Sequence, residues 1–310
     1  MKSIGVIGRS EWLYNSMLLI EKKGFNIAFI ITSKEAPEYK MTSSDFKTFA
    51  AERGIPFLLK SKITSKDVKN LKLSKMPNIC ISVNYTGIMN EDVIGLFKHG
   101  ILNAHGGDLP QYKGNACQAW AIINGEEKIG ICVHKMVPDQ IDSGDIIQRE
   151  YIPININTKI GDIYKLFEKL IPKMFLESLN NLIKEPNFIL EKINDSKQNS
   201  MRCYPRNSTD NKINWDKTNV EIIRLINASN FPYTGAFCFL DELKLIIWDA
   251  EIFDDNENYL AIPGQVSSFE KDESIIVIAG KGKVKINLIQ VEKIKMKPTE
   301  IIRSIRKRLT

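Results

Sequence analysis

The spacing of hydrophobic positions changes twice along the chain. Residues 3–8 (SIGVIG) are a short apolar run ending in glycine, which reads as a buried strand. From Trp12 to Lys23 the apolar residues Leu13, Met17, Leu18 and Ile20 recur at helical spacing, and Gly24 supplies a stop. Phe25–Thr32 is β-branched and aromatic and predicts a second strand. The alternation continues with a helix over Asp45–Arg53 stopped by Gly54, then strands over Ile55–Leu59 and Asn78–Val83. A helix over Glu91–Lys98 and a strand over Gly100–Asn103 follow, the last leading into a loop. Strands alternating with helices predict a parallel sheet covered on both faces. Ligands of such sheets sit beyond the carboxyl ends of the strands, so the loops after Gly8, Val83 and Asn103 should share one rim.

Beside that rim, Ile129–Met136 and Asp145–Ile154 read as a β-ribbon or paired strands, and Ile160–Lys184 as a long amphipathic helix. The stretch 187–208 is mixed, with Asn, Ser and Pro, and suits a linker. Beyond it the pattern becomes strand-like. A short helix over Val220–Ser229 precedes runs at Gly235–Leu240, Lys244–Phe253, Gln265–Phe269, Ser274–Ala279 and Val284–Val291. These predict a small β-barrel of about five strands. The tail, Pro298–Thr310, reads as a basic helix with a solvated face. The expected fold is therefore α/β: a Rossmann-like, mostly parallel sheet with helices on both faces, then a small OB-like β-barrel. The expected boundaries are a domain over 1–190, a linker over 191–208 and a barrel domain over 209–310.

Composition narrows the function. With 310 residues and 43% hydrophobic content, the chain can bury a sizeable core and is not disordered. A net charge of +6 suits a phosphorylated small molecule better than nucleic acid. Five cysteines (Cys80, Cys117, Cys132, Cys203, Cys238) form no CxxC pair, which points to a reducing compartment. The start, MKSIGVIGRSEW, lacks the apolar core of a signal peptide, and no apolar stretch approaches the ~18 residues of a membrane span. A cytoplasmic protein is expected. His99, His105 and His134 lack paired ligand spacing, so no metal is expected.

The chemistry concentrates in Ile101–Ile146 (ILNAHGGDLPQYKGNACQAWAIINGEEKIGICVHKMVPDQIDSGDI). Asn103 and His105 lie two apart just past a predicted strand, and extended backbone points such residues to one side. Asp142 sits in IDSGD, where Gly144 permits a tight turn; an Asp there can also simply cap the turn. Together the three residues supply an amide donor, an imidazole titrating near neutrality and a carboxylate that can orient and charge it.

The order N-x-H, L-P-x-Y-K-G, A-x-x-x-W-x-I-x-x-G-E, G-x-x-x-H-x-M and D-x-G-D-I resembles the folate-dependent formyltransferases. In the second half, Ile213-Asn214-Trp215, Arg224-Leu225-Ile226-Asn227-Ala228 and Pro232-Tyr233-Thr234-Gly235-Ala236-Phe237 are similar to that family's C-terminal barrel. The resemblance covers most of the chain. It implies formyl transfer from 10-formyltetrahydrofolate to an amine, with Asn103, His105 and Asp142 catalytic. Asn103 would donate to the oxygen that gains charge, His105 would serve as base, and Asp142 would hold the imidazole. It also implies a pterin site between SVNYTGI and PDQIDS. There Ser82, Val83, Asn84, Tyr85 and Asp139 would contribute mainly backbone, and Ile88 and Ile141 apolar walls.

For the amine, the nearest alternatives are methionyl-tRNA formyltransferases. Their S-L-L-P-x-x-R-G loop is here Gly106-Gly107-Asp108-Leu109-Pro110, ending in Lys113, and Asp108 is unhelpful to an approaching polyanion. The stretch Thr32–Asp45, where a basic insertion would lie, carries two lysines and three acids. Trp120 and His134 look more like the sugar-modifying members. A nucleotide-linked amino sugar is therefore the expected partner, carried on UDP or dTDP. The G-G-D-L-P…G-N-A-C-Q-A-W variant resembles enzymes acting on a UDP-linked, N-acetylated 4-amino-4,6-dideoxyhexose of the pseudaminic acid type. Arg9, Ser10 and Trp12 in the first strand-end loop, Tyr112 and Lys113 on the rim, and Arg206 in the linker are the expected sugar-nucleotide contacts. Formyl-folate hydrolysis, with water in place of the amine, is a further alternative. A dinucleotide oxidoreductase fits poorly, because Gly5-x-x-Gly8 lacks the third glycine. A homodimer through the barrel or helix faces is compatible with the pattern.

Overall fold

A computed structural model of the chain describes residues 2–193 and 200–310. Two compact units emerge, neither contiguous in sequence. The first comprises Met1–Cys117, Ile129–Ile152 and Tyr164–Tyr204; the second comprises Gln118–Lys128, Pro153–Ile163 and Pro205–Thr310. The expected linker, 191–208, includes residues 194–199, which lie outside the described residues.

The first unit is built as its hydrophobic periods require. β1 (Ser3–Gly8), α1 (Glu11–Lys22), β2 (Asn26–Thr32), α2 (Ser43–Glu52), β3 (Phe57–Leu59), α3 (Ser65–Lys69), β4 (Ile79–Val83), α4 (Glu91–Ile94) and β5 (Ile101–His105) follow in order. Next come β6 (Lys113–Gly114), α5 (Cys117–Asn124, which past Cys117 falls in the second unit), β7 (Lys128–Lys135), β8 (Ile146–Pro153), α6 (Ile160–Lys184, which enters the first unit at Tyr164) and β9 (Arg202–Cys203). The main sheet has seven strands in the order β3-β2-β1-β4-β5-β7-β8. β1 to β5 pair in parallel, and β7 adds antiparallel to β5. Strand order reverses between β1 and β4, the point where α/β sheets leave a crevice beyond their carboxyl ends. The rim is drawn together there, since Arg9 N–H donates to the Val83 carbonyl (3.0 Å). On one face Ile7, Phe29, Val68, Cys80, Val93 and Phe97 pack into a common core.

Local chemistry sets the helix starts. In α2 and α3, Thr42 and Thr64 accept from the backbone N–H three residues on, and Asp45 and Asp67 reach back to the threonine N–H. The five-residue α3 was not expected from periodicity; its capping box is its sequence signal. α4 is shorter than the expected helix over Glu91–Lys98 because Gly95, a poor helix former, stands at its C-cap. β5 runs two residues further than expected, which brings His105 inside the strand with Asn103.

The second unit holds α7 (Asn219–Ala228) and an antiparallel sheet of β10 (Ala236–Leu240), β11 (Leu243–Phe253), β12 (Val266–Phe269), β13 (Ile275–Ile278), β14 (Lys283–Val291) and β15 (Ile294–Met296). The order is β10-β11-β14-β13-β12, with β15 on β14. This leaves β10 and β12 as open edges, each needing a partner for its backbone groups. The chain terminus supplies it, and here the expectation of a basic helix over Pro298–Thr310 fails. Past a single 3-10 turn at Pro298–Glu300, the last residues are extended. Phe239 and Thr310 exchange two backbone hydrogen bonds (2.8 and 2.9 Å), while Leu309 N–H donates to Gly264 (2.7 Å) and Val266 N–H to Lys307 (3.2 Å). The sheet thereby closes into a barrel. Leu309 enters its core beside Val266 and Leu240, while Arg306, Lys307 and Arg308 face outward.

Among the described residues, no helix is long and apolar enough to cross a membrane. The five cysteines are free and buried.

If the terminus closes the barrel, Leu309→Ala should cost about 2–4 kcal/mol in denaturant unfolding. Arg306→Ala, exposed in the same stretch, should leave the midpoint unchanged.

Candidate active site

The carboxyl end of β5 supplies two of the expected residues. Asn103 and His105 project to the same side of the strand. In the antiparallel β5–β7 ladder, His134 lies directly opposite Asn103 and Cys132 opposite His105. Directly opposed residues share a face, so the pairing sets a second imidazole beside the Asn103 amide. The chain leaving β7 then doubles back. Met136 N–H donates to the Ile101 carbonyl (2.8 Å) and Asp139 N–H to the Met89 carbonyl (3.0 Å). Gly144 is needed for this return, because a Cβ there would sit 1.7 Å from the Lys135 carbonyl oxygen. The turn delivers Asp142 to the end of β5.

Asp142 is where the three expected residues meet. Its side chain is 11% exposed. One carboxylate oxygen, Oδ2, lies 3.3 Å from His105 Nδ1 and accepts the Gly114 N–H at 2.9 Å. The other, Oδ1, lies 3.4 Å from His134 Nε2 and accepts from Asn103 Nδ2 at 3.4 Å. Burial alone would push the carboxyl up. The His105 and His134 rings and the Gly114 N–H outweigh it and hold Asp142 well below the usual carboxylate range.

The loop Gly106–Tyr112 folds back over His105. The ring's Nε2–H donates to the Tyr112 carbonyl at 2.7 Å, and Tyr112 itself adopts a left-handed φ of 52°. Gly107 is the tight point: a Cβ there would lie 2.2 Å from the Tyr112 oxygen and 2.5 Å from His105 Nε2. His105 thus faces an acceptor at each nitrogen, and it is Nδ1, beside Asp142, that can take up a proton. Lys113 is buried, and its Nζ donates to Ser143 Oγ at 3.1 Å.

The expected pterin loops also come together through the Asp139–Met89 hydrogen bond. Ser82 and Val83 are wholly buried in β4, so their side chains face core rather than ligand. Asn84 and Asp139 adopt left-handed backbone (φ 53° and 58°), and Tyr85 Oη donates to the Lys60 carbonyl (2.7 Å). Ile88 stands out at 61% exposure, and Ile141 is half-buried.

The expected sugar-nucleotide contacts divide. Arg9 lies at the rim, half-buried, donating to the Asn84 carbonyl (2.8 Å) and the Lys34 carbonyl (2.9 Å) beneath the Tyr39 ring. Ser10 and Trp12 do not face the crevice. Ser10 is wholly buried, and Trp12 packs edge-on against Tyr39, Tyr164 and Phe167 with centroids 5.0–5.9 Å apart. An aromatic residue that opens an amphipathic helix is core here. Tyr112 is buried, and its carbonyl accepts from His105. Arg206 belongs to the second unit, where it donates to Asn211 Oδ1 (2.9 Å) and Ser229 Oγ (3.3 Å) and stacks near Trp120. Burial lowers its pKa, and its charge is committed to that polar cluster.

Three contributors escaped the sequence reading: the Tyr112 carbonyl, the Gly114 N–H and the hydrogen bond of His134 to Asn103. The first two are backbone groups without a residue-type signal. The third depends on the register between β5 and β7.

Residues 2–179 match the formyl transferase family and residues 207–306 its C-terminal domain. The chain belongs to the formyl transferase family, and it is an enzyme of that class. Among curated relatives, it is 27% identical over 302 residues to the methionyl-tRNA formyltransferase of Ruminiclostridium cellulolyticum, covering 96% of this chain and 95% of that protein. It is 26% identical to the methionyl-tRNA formyltransferase of Acetivibrio thermocellus, covering 92% and 91%. Among solved structures, the N-formyltransferase from Helicobacter canadensis in complex with folinic acid and dTDP-3-aminofucose superposes with a TM-score of 0.69 at 22% identity. That match covers 92% of this chain and 98% of the other. HypX from Aquifex aeolicus in complex with tetrahydrofolic acid matches with a TM-score of 0.63 at 14% identity over 97% of this chain, which spans only 47% of HypX. At these identities the structural matches speak for the fold.

Asp142 also leaves a mark on stability. Its folded pKa lies below its unfolded value of about 3.9, so its contribution is present above that pH and is lost as pH falls through the folded pKa. The stability difference between the parent and Asp142→Asn, measured by urea unfolding, should therefore shrink as pH falls below about 4.

Proposed function

We propose that the chain transfers the formyl group of 10-formyltetrahydrofolate to the amine of a nucleotide-linked amino sugar. The donor fits the two rim loops. They offer an exposed Ile88 and a half-buried Ile141 as apolar walls and left-handed turns at Asn84 and Asp139 that display backbone groups, which suits a flat heterocycle read along its edges. When bound, the folate supplies an activated formyl carbon.

The residues divide the remaining work. His105 keeps Nδ1 free because Tyr112 holds the Nε2–H, so the proton lost by the attacking amine is taken up at Nδ1. Asp142, 3.3 Å away, stabilises the ring once it is charged. Asn103 holds Asp142 at 3.4 Å, beyond the usual ~2.7–3.2 Å of an N–H···O bond. That weakly engaged hydrogen has capacity left for the formyl oxygen as it gains negative charge.

One observation carries the choice of amine: the segment 32–45 has two lysines against three acids, and most of these charges are already engaged. Lys40 pairs with Glu168, Glu35 accepts from Ser43 N–H, and Asp45 caps α2. A phosphate-backbone clamp needs free cations there. On the rim, Asp108 pairs with Arg149, which also binds Glu191 (2.9 Å). The reading extends to a UDP- or dTDP-linked sugar, with a 4-amino-4,6-dideoxyhexose of the pseudaminic acid type as the specific candidate, made in the cytoplasm for surface glycans. Methionyl-tRNA is the second reading, favoured by the full-length similarity to methionyl-tRNA formyltransferases.

The deciding experiment offers 10-formyltetrahydrofolate with either a panel of UDP- and dTDP-amino sugars or charged initiator tRNA, and follows tetrahydrofolate release. Turnover with an amino sugar is expected, and formylation of tRNA alone would replace this reading with the second. With the accepted amine, His105→Ala should lower kcat by about 10²–10⁴. Near-parental kcat in that variant would remove His105 from the mechanism.

A further inference from the structure

The hydrogen-bond inventory around Asn103 points to a residue outside the expected catalytic set. We propose that His134 is a positioning residue that fixes the Asn103 amide plane and so aims the hydrogen offered to the formyl oxygen. The inference rests on reading Asn103 as that donor.

His134 is 1% exposed, and its ring is pinned from both ends. Nδ1 lies 3.0 Å from the Lys135 carbonyl oxygen. A carbonyl can only accept, so Nδ1 carries the hydrogen, and in the neutral ring Nε2 is a bare acceptor. Asn103 Nδ2 stands 3.2 Å from that lone pair. The opposite amide orientation would set the Asn103 oxygen against two acceptors at once, His134 Nε2 and Asp142 Oδ1. His134 and Asp142 together therefore keep the nitrogen inward. The two contacts are unequal. The 3.2 Å bond to His134 is the shorter and anchors one amide hydrogen, which fixes the direction of the second, held only weakly by Asp142 at 3.4 Å and left to serve the formyl oxygen. Without the His134 lone pair the amide could rotate about its terminal torsion, which is broad for Asn. The opposed Asn103–His134 positions in the β5–β7 ladder make the arrangement a property of the sheet register.

Two measurements test this. The first uses the unliganded parent protein labelled with ¹⁵N in its histidine rings, at alkaline pH where the neutral ring is observed. His134, assigned by its loss in His134→Gln, should show the Nδ1–H tautomer. An Nε2–H tautomer would overturn the proposal. The second compares His134→Leu, His134→Gln, Asn103→Ala and the His134→Leu/Asn103→Ala double variant by tetrahydrofolate release. Loss of an oxyanion donor costs about 10²–10³ in kcat, so loss of its aim should cost about 10–100-fold, with KM within about twofold. The double variant should be no slower than Asn103→Ala alone, and His134→Gln, whose amide oxygen can replace Nε2 as acceptor, should recover most of the loss. Fully additive effects, or His134→Leu within about twofold of the parent, would contradict the role. Should His134→Leu fail to fold, the tautomer and the His134→Gln rate decide. If no amine is turned over, the proposed function fails while the tautomer still reports on His134.

Discussion

A single buried carboxylate organises the site. Asp142 is nearly closed off from water, and an ion there is costly unless every lone pair finds a donor. Its neighbours come from three strands: Asn103 of β5 and the Gly114 N–H of β6 donate to it, and the His105 and His134 rings of β5 and β7 lie 3.3 and 3.4 Å away. These partners are distant in sequence, so satisfying one charge sets the mutual positions of two strand ends and two loops. The depressed pKa of Asp142 expresses the same balance, since the favourable contacts exceed the cost of burial.

The sheet makes this possible by breaking its own rule. β1 to β5 are parallel and produce an open rim, but β7 joins β5 antiparallel, passing the catalytic end first and leaving beside Leu102. The antiparallel β7 places His134 opposite Asn103, and its exit at Lys135 starts the turn that carries Asp142 home. That turn and the loop over His105 demand unusual backbone. Tyr112 and Asp142 hold φ of 52° and 48°, and Gly107 and Gly144 have no space for a Cβ. Left-handed conformations at non-glycine residues cost of order 1–3 kcal/mol and persist where the surroundings over-determine them. Here those surroundings are the hydrogen bonds of the site itself.

Much of the fold was legible because long apolar runs have one solution. β1, β2, β4 and α6 follow from period and stop signals, and α6 tolerates the internal Pro172. Asn103, His105 and Asp142 were legible as residue types near a strand end. Interactions set by non-local pairing were harder to read. Pro298–Thr310 looked like a basic helix because its cations dominate the composition, yet two open barrel edges claim the backbone of Lys307, Leu309 and Thr310. Trp12 looked like a rim residue and is core, because α1 turns it toward Tyr164 and Phe167. The carbonyl of Tyr112 and the N–H of Gly114 belong to the peptide itself and have no letter in the sequence.

The most direct test of the organising role of Asp142 is a crystal structure of the Asp142→Ala variant. With the charge removed, His105, His134 and Asn103 should lose their common focus and the Gly114 backbone should drift from the site, while β1 to β5 stay superposable. Coordinates in which all three side chains kept their present orientations would mean that the strands, and not the carboxylate, hold the site together.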